Sequence, residues 1–286
     1  MLLSLLLTFV WDVSNTALQI GSWSVRWYGV LFALGFFVGQ IILTRMYVAE
    51  GKPAQLVDVI TFYMIIGTVV GARLGHCLFY EPEQYLANPI EILKIWHGGL
   101  ASHGATAGIL LALWLFSRRE KLSYLWVLDR IVIVVGLGGA FIRLGNMMNS
   151  EIIGRPTNLP WGIIFPRNPD GLSQVARHPT PLYEAGFCLL LTAGLYLLWR
   201  RYKAATPRGL LFGLFVVLLF SQRFLIEFVK ENQVDFENGL PLNMGQMLSV
   251  PLVAVGAVVL ARAIRRGPQR VPDAAPVPEV GPPAGG

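Results

Sequence analysis

The fold is decided by residues 141–157, which read FIRLGNMMNSEIIGRPT. An apolar run at residues 125–140, interrupted only by Asp129 and Arg130, leads into this stretch. Within 13 positions the stretch then places five hydrogen-bonding side chains: Arg143, Asn146, Asn149, Glu151 and Arg155. Polar groups at the end of an apolar membrane span are costly, and by default they mark a functional site. We therefore expect a membrane protein whose site lies at the end of this span.

Composition favours an integral membrane protein. Of the 286 residues, 54% are hydrophobic and 14% are charged, whereas soluble domains carry about 25% charged residues. The formal net charge of +6 would also suit a nucleic-acid-binding protein. The basic residues, however, form short clusters between apolar runs instead of covering one soluble face, and such clusters mark the ends of membrane spans. We therefore expect no nucleic acid as a partner.

The sequence predicts neither a metal site nor a cofactor. Cys77 and Cys188 are the two cysteines, and each lies inside an apolar run without the Cys or His spacing of a zinc site. We interpret both as small buried hydrophobic residues. The sequence also lacks the motifs of a serine nucleophile, a zinc protease and a phosphate-binding loop.

Seven apolar segments have the length of a membrane-spanning helix. A helix needs about 20 residues to cross a hydrocarbon core about 30 Å thick, and a helical bundle satisfies its own backbone in lipid. The predicted spans are Tyr28–Val48, Asp58–Tyr80, Gly98–Phe116, Leu125–Ile142, Thr180–Trp199, Gly209–Val229 and Met244–Ile264. The predicted fold is therefore an all-α integral membrane protein with seven transmembrane helices.

Lysine and arginine predict the orientation of these spans. The loops between spans 1 and 2, 3 and 4, and 5 and 6, together with the C-terminal tail, are the basic ones, and the opposite side is richer in acids. The positive-inside rule then places the N-terminus outside and the C-terminus in the cytoplasm. We expect an amphipathic N-terminal segment at residues 1–27, a membrane domain at 28–266 with a periplasmic head segment at about 143–179, and a disordered tail at 267–286.

Further polar groups stand on or beside the other spans: Tyr28, Arg73, His103, Glu184 and Arg223. A tyrosine at the start of a span is also typical of an aromatic belt, and Arg223 could simply pair with Glu227 at i and i+4. Arginine offers a planar fork that suits two phosphate oxygens, and histidine titrates near neutrality. All of these groups except Arg73 lie toward the outer halves of their spans. Together they predict a site for an anionic lipid head group at one leaflet.

The order and spacing of these motifs resemble one known family, the bacterial phosphatidylglycerol–prolipoprotein diacylglyceryl transferases. The resemblance extends from about Gly21 to Arg266. The motifs that carry it are Trp27-Tyr28-Gly29, His97-Gly-Gly with His103-Gly, Arg143-Leu-Gly-Asn146 with Asn149-Ser-Glu151 and Gly154-Arg155, Arg177-His-Pro with Leu182-Tyr-Glu184, and Arg223-Phe-Leu-Ile-Glu227-Phe. The chain departs modestly from the family pattern, with Ser150 where many members have Gly and His76 where an aromatic residue is usual.

The resemblance implies a multi-pass enzyme of the bacterial inner membrane with its active site toward the periplasm. Members of the family transfer the diacylglyceryl group of phosphatidylglycerol to the lipobox cysteine thiol of a prolipoprotein. The reaction forms a thioether, releases glycerol 1-phosphate and is the first step of lipoprotein maturation. The implied partners are therefore phosphatidylglycerol, a prolipoprotein signal peptide with its lipobox cysteine, and membrane lipid, with no cofactor.

The resemblance also implies roles for single residues. Arg143 and Arg223 would handle the lipid phosphate, and His103 and Tyr28 would be essential, with His103 as the candidate base. The predicted catalytic residues are His103, Arg143, Arg223, Tyr28, Asn146 and Glu151. The predicted substrate-binding residues are Arg143, Arg223, Arg73 and Gly154.

Two other function classes stay open on the residues alone. A lipid transporter would also hold head groups with arginine, but it needs polar groups in the cytoplasmic half, where the sequence offers mainly Arg73 and Asp58. A non-catalytic lipid-binding scaffold is the other alternative, and it gives no reason for His103.

Overall fold

Helices dominate the computed structural model, which describes residues 9–94, 98–231 and 241–269. Its α-helices are α1 (Trp27–Ala49), α2 (Gln55–Phe79), α3 (Pro82–Ala87), α4 (Ser102–Arg119), α5 (Tyr124–Met148), α6 (Thr180–Tyr202), α7 (Leu210–Ile226) and α8 (Met244–Arg266). Within the described residues, five helices are long and apolar enough to cross a membrane: α1, α2, α5, α6 with its extension to Ala205, and α8. The prediction of a mostly helical membrane protein is confirmed.

The two remaining long helices, α4 and α7, are shorter or more polar. α7 has 17 residues, and the 18 residues of α4 include His103 at one end and Arg118 and Arg119 at the other. Each of them packs along a longer neighbour, α4 against α2 and α7 against α8. The bundle therefore places both helices beside partners of full spanning length.

Glycines bring α2 and α4 into contact along their backbones. A Cβ atom built on Gly67 would lie 2.6 Å from the carbonyl oxygen of Gly108, and Gly71 and Gly104 face each other still more closely. Small residues at intervals of four allow such an approach between membrane helices. Their contact fixes α4 relative to α2.

Two helix boundaries differ from the predicted spans in ways that affect the site. α4 begins at Ser102 and not at Gly98, because Gly98 and Gly99 have φ angles of +83° and +72°, in the left-handed region that ends or precedes a helix. α5 ends at Met148 and not at Ile142. Arg143 therefore lies on a helix and not in the segment that follows it.

Three short strands lie in residues 9–26, where the sequence predicted an amphipathic segment, and a fourth follows α5. β1 (Phe9–Val10) pairs in parallel with β4 (Ile163–Ile164), and β2 (Thr16–Ile20) forms an antiparallel hairpin with β3 (Trp23–Arg26). The all-α prediction omitted these strands. Residues 1–8, His97 and the predicted tail from residue 270 onward lie outside the described residues.

The segment after α5 packs against the end of α7. Its Arg155 amide donates to the Val229 carbonyl at 2.8 Å, and Gly154 forms a bridge with Lys230. A small core of Met147, Ile153, Ile163 and Phe165 lies beneath it. The head segment thus begins after Met148, and its contacts draw the ends of α5 and α7 together.

Candidate functional site

Arg143 lies near the end of α5 and is held on two sides. Its Nη1 donates to Oδ1 of Asn146 at 3.2 Å, as the i, i+3 spacing on a helix allows. Its Nε forms an ion pair with Oε2 of Glu184 on α6, at 3.2 Å. The side chain remains 21% exposed. The guanidinium is thus fixed in direction while part of it stays accessible.

Glu151 acts on Arg143 through Asn146. Oε1 of Glu151 accepts from Nδ2 of Asn146 at 2.7 Å and from Nδ2 of Asn149 at 3.1 Å. This contact fixes the Asn146 amide so that its oxygen faces Arg143. Arg155 forms no ion pair with Glu151, and its Nε donates to the Lys230 carbonyl at 3.0 Å.

A row of alternating charges connects Arg143 to Arg223. Nζ of Lys230 donates to Oε1 of Glu184 at 3.1 Å and lies 3.6 Å from Oε1 of Glu227. Nη2 of Arg223 lies 3.5 Å from the same Glu227 oxygen, so the i, i+4 pair that the sequence left open does form. We name the set Arg143, Glu184, Lys230, Glu227 and Arg223 the charge chain. It is buried at its centre and open at its ends, since the side chain of Arg223 is 41% exposed.

Lys230 is the residue of this chain that the sequence did not single out. Burial lowers its pKa, and the coulombic effect of Glu184 opposes that shift by favouring the ammonium form. Lys230 follows Glu227 by three residues at the end of an apolar run, and this spacing was the signal in the sequence that could have indicated an ion pair between them. The sequence marked Glu184 as a polar group at the start of a span but did not identify its partners.

The start of α8 closes the site beside Glu227. Asn243 and Gln246 form a reciprocal cap, in which the Gln246 amide donates to Oδ1 of Asn243 at 2.9 Å and the Asn243 amide donates to Oε1 of Gln246 at 3.1 Å. Nδ2 of Asn243 also donates to Oε2 of Glu227 at 3.1 Å. α5, α6, α7 and α8 therefore all contribute to the site.

Tyr28 and Gly154 occupy crowded positions near the charge chain. A Cβ atom on Gly145 would lie 2.7 Å from Cδ2 of Tyr28, so the tyrosine ring packs over the last turns of α5 beside Asn146. Gly154 is buried, and a Cβ atom there would lie 2.6 Å from the Val229 carbonyl oxygen. Since the Gly154 amide donates to the His178 carbonyl at 2.9 Å, this glycine serves the packing of the head segment.

Neither His103 nor Arg73 forms a hydrogen bond or an ion pair with a residue of the charge chain. His103 is exposed on the first turn of α4 and makes no hydrogen bond or ion pair with the described residues. Arg73, predicted to bind substrate, is buried instead, and backbone carbonyls occupy its guanidinium. These contacts do not leave its guanidinium open to a lipid phosphate.

An apolar cavity of about 360 Å³ lies between α1, α2, α4 and α5. Ile142, the residue before Arg143, lines it, and Gln40 lines it together with apolar side chains. Gly138 leaves part of this space open, because nothing lies within 4 Å of where its Cβ would be. Within the described residues, no cluster of three or more His, Cys, Asp or Glu side chains could hold a metal ion.

Comparison with known proteins assigns this arrangement to a family. A family model described as prolipoprotein diacylglyceryl transferase matches residues 15–262. The chain belongs to this family. The matched range contains the charge chain, Tyr28, His103 and the cavity, so the family assignment covers the candidate site. The predicted family and the predicted enzyme class are both confirmed.

Individual members of the family are similar over nearly their whole length. A protein of Tolumonas auensis is 48% identical over 251 residues, which cover 87% of this chain and 95% of the relative. A protein of Chloroherpeton thalassium is 46% identical over 257 residues, covering 90% and 94%. One of Porphyromonas gingivalis is 44% identical over 268 residues, covering 89% and 94%. All three are named phosphatidylglycerol–prolipoprotein diacylglyceryl transferase.

Proposed function

We propose that this chain transfers the diacylglyceryl group of phosphatidylglycerol to the lipobox cysteine thiol of a prolipoprotein and releases glycerol 1-phosphate. The names of its relatives support this reaction and the two substrate classes. The observation on the chain's own residues that carries the proposal is the charge chain. It holds Arg143 and Arg223 on two different helices, each fixed on one side by a glutamate and accessible on the other.

Arg143 and Arg223 bind the lipid phosphate and stabilise the leaving phosphate ester. Arg143 uses Nε and Nη1 within the protein, and among the described residues its Nη2 has no hydrogen-bond partner. Charged donors aimed at developing negative charge in a low-dielectric site lower the barrier most effectively. Glu151 and Asn146 keep Arg143 in place during this step.

His103 takes the proton of the substrate thiol. A free thiol has a pKa of about 8.5, so a base is needed to raise the thiolate fraction near neutral pH. The thiolate attacks the terminal glyceryl carbon, the bond from that carbon to the phosphate oxygen breaks, and glycerol 1-phosphate leaves. His103 suits this role because it is exposed and because the described residues leave its ring nitrogens unpaired. Tyr28 packs against Gly145, the residue before Asn146.

The cavity next to Ile142 accommodates acyl chain. Its lining is almost wholly apolar, and Ile142 directly precedes the arginine that holds the phosphate. A diacylglyceryl substrate has the same arrangement, with a polar head joined to apolar chains. The cavity and Arg143 would therefore contact neighbouring parts of one lipid molecule.

The proposed topology has seven spans, α1, α2 and α4 to α8, with the N-terminus outside and the C-terminus in the cytoplasm of a bacterial inner membrane. Basic residues in the last turns of α4, α6 and α8 support this orientation. The charge chain and His103 then face the periplasm, where a secreted peptide arrives. The N-terminal segment at residues 1–27 and the tail at 267–286 flank the membrane domain on opposite sides.

The test is transfer by the purified protein in liposomes that contain phosphatidylglycerol labelled in its head-group glycerol. We expect a lipobox peptide to gain the mass of the diacylglyceryl group and labelled glycerol 1-phosphate to appear in equal amount. A peptide with serine in place of the lipobox cysteine is the control and should gain nothing. A lipid transporter would move labelled lipid between leaflets without forming the adduct, and a scaffold would do neither.

His103→Gln tests the base. General-base catalysis contributes about 10²- to 10⁴-fold, so we expect turnover at neutral pH to fall at least about 100-fold. Turnover should recover partly as pH rises toward the thiol pKa of about 8.5, because the substrate then ionises without help. Wild-type turnover by His103→Gln at neutral pH would remove the base role.

A further inference from the structure

Arg73 is a buried arginine whose donors face backbone carbonyls. It is 3% exposed and lies six residues before Phe79, where α2 ends. Its Nε donates at 2.9 Å, and its two terminal nitrogens donate to further carbonyls. The acceptors are the carbonyl oxygens of Glu91, Ile92, Lys94, Gly98 and Gly99. Arginine has five N–H donors and no acceptor, so these contacts occupy its fork.

Tyr85 covers the same guanidinium. The guanidinium carbon lies 4.8 Å from the centre of the Tyr85 ring, and Tyr85 is itself buried. A cation placed over an aromatic ring and away from water interacts favourably with it. Arg73 therefore has neither an open face nor a free donor for an anionic head group. Its hydrogen bonds all lead to the chain segment between α3 and α4.

That segment returns to α2 immediately before α4 begins. The Ala101 amide donates to the Ala72 carbonyl at 2.9 Å, next to Arg73. A Cβ atom on Gly99 would lie 2.5 Å from Nε2 of His76, so the backbone passes directly over this ring. His103 follows on the first turn of α4. Residues 72–76 of α2 thus hold the backbone that carries His103.

We propose that Arg73 is a positioning residue for His103 and not a ligand of the lipid phosphate. The inference rests on the base role proposed for His103. Carbonyls without a donor are costly at membrane depth. Arg73 supplies donors to five carbonyls of the segment at once, and one of them, that of Glu91, also accepts from the Lys94 amide. Lysine has three donors on a single nitrogen and lacks the planar fork. Loss of Arg73 therefore releases the segment and lets His103 move, while the charge chain stays intact.

The test compares Arg73→Gln and Arg73→Lys with the wild type in the liposome assay. A displacement of about 1 Å in a catalytic group can cost about 100-fold in rate. We expect kcat of Arg73→Gln to fall by about this factor, kcat of Arg73→Lys to fall less, and KM for phosphatidylglycerol to stay at the wild-type value. A phosphate ligand would behave oppositely, because its loss raises KM for the lipid. A raised KM with wild-type kcat would overturn the proposal.

Hydrogen exchange gives a second readout that does not depend on activity. In both variants we expect faster exchange in residues 98–106, which include the Ala101 amide, and unchanged exchange in residues 135–148 of α5. Arg45→Gln is the matched control, because Arg45 is exposed on α1 and makes no hydrogen bond or ion pair with the described residues. Wild-type exchange in residues 98–106 of Arg73→Gln would overturn the proposal even if kcat fell. Should Arg73→Gln fail to fold, Arg73→Lys carries the same comparison.

His103→Gln, assayed in parallel, separates the two proposals. If it turns over like the wild type, the base role fails, and with it the link from Arg73 to catalysis. If His103→Gln is slow while the Arg73 variants exchange and turn over like the wild type, only the positioning role of Arg73 fails.

Discussion

The two ends of α5 both carry arginine, and they use it in opposite ways. Near the first end, Arg130 is completely buried against Glu50, whose side chain is 1% exposed. Near the other end, Arg143 pairs with Glu184 but remains 21% exposed. One helix therefore holds a closed ionic cluster and an open one.

The closed cluster satisfies its charges within the protein. Nε and Nη2 of Arg130 donate to both carboxylate oxygens of Glu50 at 2.7–3.1 Å, and Nη1 donates to the Trp126 carbonyl at 3.3 Å. The indoles of Trp126 and Trp199 donate to the same carboxylate. Asp129 accepts from the amides at the start of α7, at 2.7 Å and 2.9 Å. This cluster joins α1, α5, α6 and α7 and offers no donor to a ligand.

In the open cluster, which is the charge chain, the arginines at the two ends do not use all of their N–H donors within the part of the protein that the structure describes. Lys230 and Glu184 are buried at its centre, whereas the terminal arginines keep donors that the described residues do not use. Arg130 and Arg143 both lie on the apolar helix α5. The burial of each side chain, and whether the protein uses all of its N–H donors, distinguish the structural Arg130 from Arg143, which is available to substrate. The following substitutions test this difference, in order of decreasing expected effect.

Arg130→Ala should destabilise the protein most. Removing one partner of a buried ion pair costs about 3–5 kcal/mol, because the remaining carboxylate of Glu50 stays buried without a counter-charge. The measurement is thermal unfolding of the purified protein in detergent. A double variant, Glu50→Gln with Arg130→Met, should recover part of the loss. An unchanged unfolding temperature in Arg130→Ala would contradict a structural role for this cluster.

Arg143→Gln should affect activity and leave stability nearly intact. Loss of one donor to a transition-state charge costs about 2.7–4 kcal/mol, or about 10²- to 10³-fold in turnover. Stability should change little, because the side chain is partly exposed and Glu184 keeps its contact with Lys230. Turnover in liposomes and thermal unfolding are measured on the same preparation. The assignment fails if turnover stays at the wild-type level.

Gly145→Ala should perturb the open end through packing. The added methyl group would meet the Tyr28 ring at 2.7 Å, and overpacking typically costs about 1–3 kcal/mol. Gly186→Ala on α6 is the control, since nothing lies within 4 Å of the position of its Cβ. Thermal unfolding should separate the two variants. Equal unfolding temperatures would mean that Tyr28 does not press against α5.

Ser150→Gly should stabilise the protein slightly. Ser150 follows the end of α5 with a φ angle of +55°, where a side chain is strained by about 1–2 kcal/mol. Its buried hydroxyl has no hydrogen-bond partner, so the substitution by glycine removes no side-chain hydrogen bond. We expect a gain of about 1 kcal/mol, read by thermal unfolding. Ser123→Gly, at a φ angle of −65°, should show no gain. A lower unfolding temperature for Ser150→Gly would contradict the strain.

Local sequence patterns were sufficient to predict the long helices and the part of the site that lies at the end of α5. The predicted starts at Thr180 and Met244 coincide with the starts of α6 and α8. This agreement has a physical basis, because helix-forming apolar runs and their ends are local properties of the chain. The pairing of Arg143 with Asn146 also follows from local spacing.

Contacts between distant parts of the chain could not be predicted in the same way. Glu184 and Lys230 are 46 residues apart, and neither residue type indicates which partner it meets. The acceptors of Arg73 could not be predicted either, because they are backbone carbonyls, which leave no mark in a sequence. β1 and β4 are equally hidden, because two residues in each strand are too few to give a periodic pattern.

The glycine contact between α2 and α4 restricts how this chain can change during evolution. At Gly67, Gly71, Gly104 and Gly108, the nearest atoms that a new side chain would meet are backbone oxygens of the facing helix. A clash with a side chain can be relieved by a second, smaller residue on the partner, but a clash with a carbonyl cannot. No compensating substitution is therefore available at these four positions, and each change there must separate the two helices.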